Sequence, residues 1–406
     1  MSIPRSEPLK SWHDSPLVVI LLKFILPALG VLSFELVLWQ FLAARKFPLH
    51  KRIADPAFSP AVTILKPLKG CDTTTAASLE TWFNQNYPGP VQILFGVAVA
   101  EDPACDIVRQ LVGKYPKADA QLLVCGESLG MNAKVSTLIQ LEKAARHDLI
   151  LVSDADVRVP EDFLGNIVAP LREPEVALVN CFYRIANPAT RAMEWEAVAI
   201  NADFWSQVLQ SQTLKPLDFA LGAAILQRRK SLEQAGGFAA FANCLADDYQ
   251  IGNQISKNGG RIALCPVVVE CWDAPMNWRA VWKHQIRWAR TIRICQPLPY
   301  FFSILSNGTF WPLLWLMYSL ALSKMLYAVV AFVLLSVRVV IARSLQRKFN
   351  AGSQKPAPFW LVPVKDLLNA VIWAIAFSGN IIEWRGRKMR LRRDGNLEPV
   401  LNTEQP

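Results

Sequence analysis

Two aspartates one residue apart, Asp154 and Asp156, stand directly after the apolar run Leu149-Ile150-Leu151-Val152. Such a run reads as a buried parallel strand, so the pair arrives at a strand's C-terminal end, where open α/β sheets bind ligands. On an extended segment residues i and i+2 point to the same side, and their like charges repel unless a cation lies between them. A hard divalent ion carrying a diphosphate meets that need. A bare Asp-x-Asp also suits a polar turn, so its surroundings decide. Further on, Leu245-Ala246-Asp247-Asp248-Tyr249 opens a helix with two acids in its first turn, a placement that the helix dipole by itself favours. The stretch from Asn277 to Arg293 then reads as a helix mixing Trp278, Trp282 and Trp288 with Arg279, Lys283, His284, Arg287, Arg290 and Arg293, which suits a membrane boundary. A cation at the aspartate pair could neutralise a nucleotide diphosphate leaving group while a later carboxylate takes a proton from an attacking hydroxyl. That is glycosyl transfer in outline; phosphoryl transfer and a pyrophosphorylase fit the metal pair equally well.

These residues need a sheet and a membrane surface to position them. From Ala61 to Glu270 apolar strand-like runs alternate with helical patterns, the signature of a mostly parallel sheet covered on both faces. The pattern predicts strands from Ala61 to Leu65, Val91 to Val99, Gln121 to Cys125 and Leu149 to Val152, with the run from Val176 to Phe182 as the fifth. Between them it predicts helices from Thr75 to Gln85, from Pro103 to Tyr115, and from Gly130-Met131-Asn132-Ala133-Lys134 to about Arg146.

With 406 residues, 52% of them hydrophobic, the chain is long enough for one α/β domain plus membrane segments. The net charge of +10 comes from basic residues clustered beside apolar, Trp-rich stretches, which suits an anionic membrane surface and a phosphate-bearing substrate; no nucleic-acid module is visible. Eight cysteines never form Cys-x-x-Cys and four histidines are scattered, so neither structural zinc nor a disulfide framework is indicated.

The stretch from Leu17 to Leu42 is long enough to cross a bilayer, although Lys23, Pro27, Gly30 and Glu35 interrupt it. Arg45, Lys46, His50, Lys51 and Arg52 follow it where a signal peptide would show a small-residue cleavage site, and they outnumber Arg5 and Lys10 upstream. That asymmetry places the next domain on the cytoplasmic side. Phe301 to Ile341, with Lys324 and Arg338 inside it, allows two crossings or one crossing and a re-entrant piece. Trp360 to Ile382 is a further candidate whose Lys365 and Asp366 pair with each other or face a protein-lined cavity. Arg343, Arg347, Lys348 and Lys355 and the tail's Arg385, Arg387, Lys388, Arg390, Arg392 and Arg393 both look cytoplasmic, yet one full crossing would separate them. One apolar segment is therefore expected to lie in the interface or to re-enter. The resulting division is residues 1–54 as an N-terminal membrane anchor, 55–275 as the cytosolic catalytic domain, 276–298 as an amphipathic interfacial helix, 299–384 as a C-terminal membrane region and 385–406 as a basic cytosolic tail.

Seven pieces in order carry a family resemblance: Lys66-Pro67-Leu68-Lys69-Gly70-Cys71-Asp72, Glu101-Asp102-Pro103-Ala104, Gly130-Met131-Asn132-Ala133-Lys134, Ser153-Asp154-Ala155-Asp156-Val157-Arg158-Val159, Gln234-Ala235-Gly236-Gly237-Phe238, Ala246-Asp247-Asp248-Tyr249 and Gln285-Ile286-Arg287-Trp288. From about Val62 to Ile292, and more weakly around Trp384-Arg385-Gly386-Arg387, the chain resembles ceramide glucosyltransferases, membrane-bound A-type glycosyltransferases that include bacterial hopanoid-associated relatives. The resemblance implies a nucleotide-diphospho-sugar transferase fold, a Rossmann-like mixed sheet with N- and C-terminal transmembrane helices, in a bacterial inner membrane or a Golgi or ER membrane. It implies inverting transfer of a hexose, glucose above all, from a UDP-sugar to the hydroxyl of a membrane lipid such as ceramide, with Mg²⁺ or Mn²⁺ as cofactor. Pro67 and Lys69 would flank the uridine, Asn132 and Lys134 would lie near the nucleotide, and Asp154 and Asp156 would hold metal and diphosphate. Asp248 would be the catalytic base, while Asp247, His284, Gln285, Arg287 and Trp288 would stand around the diphosphate and the acceptor. Two positions depart from the family pattern. The acid that holds uridine falls at Val99, with Glu101 and Asp102 as substitutes, and the Gln/Arg-x-x-Arg-Trp motif begins with His284, with Gln285 beside it. A hopanoid-like acceptor with UDP-N-acetylglucosamine is the alternative within lipid transferases. A processive polysaccharide synthase needs more membrane helices than the chain offers, and a non-catalytic scaffold would have lost Asp248 or the aspartate pair.

Overall fold

Ile64, Leu65, Leu94, Phe95, Ile150 and Leu151 are fully enclosed, and the runs that carry them form one half of an eight-stranded mixed sheet. Strands β1 (Val62–Pro67), β2 (Val91–Val97), β3 (Asp119–Val124) and β4 (Leu149–Ser153) are parallel in the order β3-β2-β1-β4. The other half adds β5 (Val157–Arg158), β6 (Val176–Ile185), β7 (Ala224–Arg228) and β8 (Arg261–Cys271) in the order β4-β7-β6-β8-β5. Here β7 runs antiparallel to both neighbours, so the sheet is mixed where the apolar runs suggested a mostly parallel one. The run from Val176, expected as the fifth strand, is the sixth, because the two residues after the aspartate turn pair with the end of β8. The computed structural model describes residues 16–351, 357–384 and 387–400; Arg5, Lys10, Lys355, Arg385 and Gly386 lie outside them.

Helices cover the sheet in chain order: α1 (Pro16–Lys46), α2 (Thr75–Glu80), α3 (Ala104–Lys114), α4 (Ala133–Ala144), α5 (Phe163–Val168), α6 (Arg191–Val198), α7 (Trp205–Gln212), α8 (Arg229–Gln234) and α9 (Asp247–Lys257). In α3 the buried residues are Ala104, Cys105, Val108 and Leu111, a one-face spacing that turns Asp106 and Arg109 outward. In α4 Val135, Leu138 and Leu141 play that part. Helix α2 stops at Glu80, short of the expected Gln85, and Trp82 just beyond it is buried with its indole N–H donating to the Val157 carbonyl.

Beyond the sheet follow α10 (Trp278–Cys295), α11 (Pro297–Phe302), α12 (Phe310–Ala321), α13 (Met325–Phe349) and α14 (Leu361–Ala376). Among the described residues two helices are long and apolar enough to cross a membrane, residues 22–46 of α1 and α13. They run side by side: Leu26 clusters with Ala331 and Trp315, and Lys348 donates to the carbonyls of Ala44, Arg45 and Phe47. Helix α12 folds back on α13, and α14 packs on α6 of the sheet domain and on α10. At 16 residues α14 is only about 24 Å long, short of a ~30 Å hydrocarbon core.

The charges inside these apolar helices are buried together. Arg338 of α13 donates to Asp366 of α14 at 2.9 Å and to Asp203 at 2.8 Å; Asp203 sits in the wide turn Ala199–Phe204 that joins α6 to α7. Lys365 bonds Asp203 and lies 2.5 Å from Asp366, and Thr309 donates to Asp366 at 2.6 Å. Two cations and two carboxylates thus pin the apolar helices to the sheet domain.

After α14 the chain forms an antiparallel sheet, β9 (Ile381–Trp384), β10 (Arg387–Leu391) and β11 (Leu397–Pro399). The paired strands β9 and β10 lie on either side of the boundary expected at 384/385. Ile382, Met389, Leu391 and Leu397 are buried while the basic residues between them face outward, an alternation that the dense positive charge disguises. Arg338→Met should cost about 3–5 kcal/mol of stability, since it strands two buried carboxylates on one lysine; denaturant unfolding in detergent measures the loss.

Candidate active site

Asp154 and Asp156 occupy the turn between β4 and β5, at the end of the sheet where β1 and β2 also finish. The backbone of this turn is held from three sides. Asp154 N–H donates to the Ala223 carbonyl at 3.2 Å, Trp272 N–H donates to the Asp156 carbonyl at 3.0 Å, and Lys66 bonds the Asp154 carbonyl and, at 3.2 Å, Ser153 Oγ. Lys66 is fully buried with its ammonium 4.6 Å from the Trp82 ring centre. Burial lowers its pKa to about 7 against the pull of Asp156 and Asp154. Burial, then the like charges of Asp154 and Asp273, push Asp156 up to about 7.

Lys134 ties this turn to the next carboxylates. Its Nζ lies 2.8 Å from Asp154 Oδ1 and 3.5 Å from Asp247 Oδ2. Burial alone would lower its pKa, but the charges of Asp154, Asp247 and Asp248 outweigh that and hold the ammonium above its usual range. Asn132 fixes where Lys134 starts. As the N-cap of α4 its Oδ1 accepts from the N–H groups of Lys134 and Val135 at 3.0 and 3.2 Å, while its Nδ2 donates to the Cys244 carbonyl at 2.8 Å and to Asp247 at 3.3 Å. Both lone pairs and both amide protons are used, and the side chain is wholly buried. Asn132 therefore positions both the lysine and the loop that carries Asp247 and Asp248. A side chain at Gly130 would collide with the Ala242 carbonyl, so only glycine lets this segment dock there.

Asp248, at the start of α9, is half-buried. Its Oδ2 accepts the Gly222 N–H at 2.6 Å and its Oδ1 the Tyr249 N–H at 2.8 Å. Burial first, then the neighbouring Asp247, raise it to about 6, opposed by Lys134. A Cβ on Gly222 would stand 2.8 Å from Asp248 Oδ2, so that glycine is what allows the carboxylate to approach the backbone. Lys134, Ser153, Asp154, Gly222, Asp247 and Asp248 line one cavity. Asp156 is not among its lining; it sits on the Asp273 side of the turn.

At the outer edge, Pro67 ends β1 and Lys69 is exposed. Asp102 accepts the Gly70 N–H through both oxygens, at 3.0 and 2.9 Å, and the Ala104 N–H at 2.9 Å, so it joins the loops after β1 and β2. Of the two acids expected to replace the one missing at Val99, Asp102 is engaged in this loop contact and Glu101 is exposed on the surface. On α10, His284 Nδ1 lies 2.7 Å from Glu196 Oε1, and Gln285 donates to the same oxygen at 2.8 Å. Both turn toward α6. The ring of Trp288 packs at 4.8 Å on His284, whereas Arg287 lines a second cavity with His284, Lys283 and Trp384.

Lys66, Gly222, Glu196 and Asp273 belong to this neighbourhood and sequence reasoning assigned them no role. A lysine inside an apolar strand and a glutamate between Trp195 and Ala197 were the available signals, since neither is buried without a partner. Among the described residues no three Asp, Glu, His or Cys side chains converge into a complete metal cage. The hard oxygens of Asp154 and Asp156 fit a divalent cation that takes its remaining ligands from diphosphate and water, as Mg²⁺ commonly does. Burial, and after it the like charges of Asp154 and Asp273, raise Asp156, and a bound cation would relieve the second of these.

The family model for glycosyl transferase family 21 matches residues 22–397. A ceramide glucosyltransferase of Caenorhabditis elegans is 26% identical over 228 residues, 55% of this chain and 48% of that protein. One of Candida albicans is 35% identical over 128 residues, 29% of this chain and 24% of that protein. The chain thus spans less than half the length of these relatives. A mannosyltransferase of Pyrobaculum calidifontis, solved with GDP-Man and Mn²⁺, superposes with a TM-score of 0.51 at 19% identity, over 88% of this chain and 97% of that one, and shares the fold. Lys134→Met should raise the pKa of Asp248 above about 6, because the ammonium is what holds it down; carboxyl ¹³C titration of aspartate-labelled protein reads the shift.

Proposed function

The chain belongs to glycosyl transferase family 21, and we propose that it moves a hexose from a UDP-sugar to the hydroxyl of a membrane lipid with inversion at the anomeric carbon. Glucose as the sugar and ceramide as the acceptor rest on the names of the relatives in Caenorhabditis elegans and Candida albicans. The observation that carries the reading is the shared cavity of Asp154 and Asp248, a strand-end carboxylate and a raised one meeting across Lys134.

In this reaction the acceptor oxygen bonds the anomeric carbon from the face opposite the diphosphate, its proton passes to Asp248, and the bond from that carbon to the diphosphate oxygen breaks. Asp248 must arrive ionised, and a pKa of about 6 keeps it so at neutral pH while leaving it basic enough to accept the proton. The N–H groups of Gly222 and Tyr249 hold both its oxygens in place. Asp154 and Asp156 would hold a divalent cation, which when bound neutralises the leaving diphosphate. Arg287, which lines the second cavity, would supply a cation for the same group, and Trp288 a ring for the lipid acceptor. The two long apolar helices keep the domain at the bilayer from which the acceptor comes, with the catalytic side cytosolic.

Incubation of the purified protein with a panel of UDP-sugars and lipid acceptors, read by mass spectrometry, should give glucosylceramide; no product from any pair would end the proposal. Asp248→Asn should abolish transfer while UDP still binds. Protonation of Asp248 removes the base, so kcat/KM should be retained above about pH 6 and fall roughly tenfold per unit below it. EDTA should silence the enzyme, and undiminished turnover in excess chelator would remove the metal role of Asp154 and Asp156.

A further inference from the structure

The acid loop is gripped from both edges. On one edge Met131 N–H donates to Asn243 Oδ1 at 2.9 Å, and Asn132 N–H donates to the Ala242 carbonyl at 2.8 Å. On the other edge the C-terminal strands take hold. Leu397 N–H donates to the Asn243 carbonyl at 2.8 Å, Leu245 N–H donates to the Gly395 carbonyl at 3.2 Å, and Cys244 pairs with Asn396 as an antiparallel bridge. The Cys244 thiol lies 3.4 Å from Asn396 Oδ1, and the Asn396 amide donates to Asp394 at 3.0 Å, closing the turn that presents this strip.

An apolar cluster reinforces the grip. Leu245 is buried with Ile382, Met389, Leu391 and Leu397, and Met131, Ile294 and Trp384 pack around them. Two residues after Leu245 the chain reaches Asp247, and then Asp248, so little freedom remains between the clamp and the acid.

We propose that the segment Gly395-Asn396-Leu397 is a positioning element for Asp248: the three-stranded C-terminal sheet completes the acid loop as an added strand and holds the carboxylate against Gly222. The element touches no reacting atom and acts through residues 243–248. Its part in turnover rests on the function proposed above, whereas its mechanical part does not.

Leu397→Pro deletes the N–H that bonds Asn243, Asn396→Ala deletes the turn's carboxamide without touching the backbone, and Leu397→Ile keeps both. Each is made in the full chain in detergent or nanodiscs and read by hydrogen exchange and by kinetics. Leu397→Pro should speed exchange in peptides spanning 242–250 while peptides of β1 to β4 keep their protection, and should lower kcat at least tenfold with KM for the nucleotide sugar within twofold. Asn396→Ala should move both readouts in the same direction by less, and Leu397→Ile should leave both unchanged. Unchanged exchange over 242–250 in both Leu397→Pro and Asn396→Ala, or kcat within twofold of wild type despite faster exchange, overturns the proposal. Should Leu397→Pro lose protection across the whole sheet, Asn396→Ala decides alone by the same criteria. A wild-type chain that transfers no sugar defeats the proposed function, and the exchange readout then still decides the clamp.

Discussion

One ammonium group makes the site possible. Lys134 reaches Asp154 of the strand-end turn and Asp247 of the acid loop, and its charge also restrains Asp248. Without it these carboxylates would repel across a partly dry cavity, where two unit charges about 4 Å apart interact by roughly 4 kcal/mol at an effective dielectric constant of 20. The lysine stands where it does because Asn132 caps α4 and is itself bonded to the acid loop, and because Gly130 lets the loop carbonyl approach. Helix start, acid loop and strand end are thus parts of one electrostatic unit.

The molecule holds a second group of buried charges, and the contrast is instructive. Asp203, Asp366, Arg338 and Lys365 balance, two against two, and every one has partners of opposite sign. A closed set like that fixes the register of α13 and α14 against the sheet domain and leaves nothing for a ligand. At the strand end, Lys66 stands beside Asp154 and Asp156, and Lys134 beside Asp154, Asp247 and Asp248. Burial first, and then the neighbouring carboxylates, push Asp156 and Asp248 up, and acids raised in this way mark a candidate site for a cation and a proton.

Much of this was legible from residue types. The apolar runs ending in polar turns located β1, β2 and β4, because strands buried on both faces leave a continuous hydrophobic signature. Asp154 and Asp248 could be singled out because an acid at a strand end and an acid in a helix's first turn are each recognisable locally. What was not legible was β7, for which no strand was expected and which runs antiparallel to both neighbours, and the strands β9 to β11, where exposed arginines mask the buried alternate positions. The part played by Asn132 was hidden as well, since an asparagine before a helix looks the same whether it caps the helix or reaches a ligand.

The sequence by itself determined which residues could carry charge, metal or proton, and which stretches had to leave water, since both follow from side-chain chemistry and short-range periodicity. Only the tertiary structure decided which of those residues meet. Lys134 joins Asp154 to Asp247, Glu196 takes both His284 and Gln285, and the last strands close on the loop before Asp248. Those encounters depend on strand order, on helix docking and on contacts between residues far apart in the chain, and no local pattern encodes them.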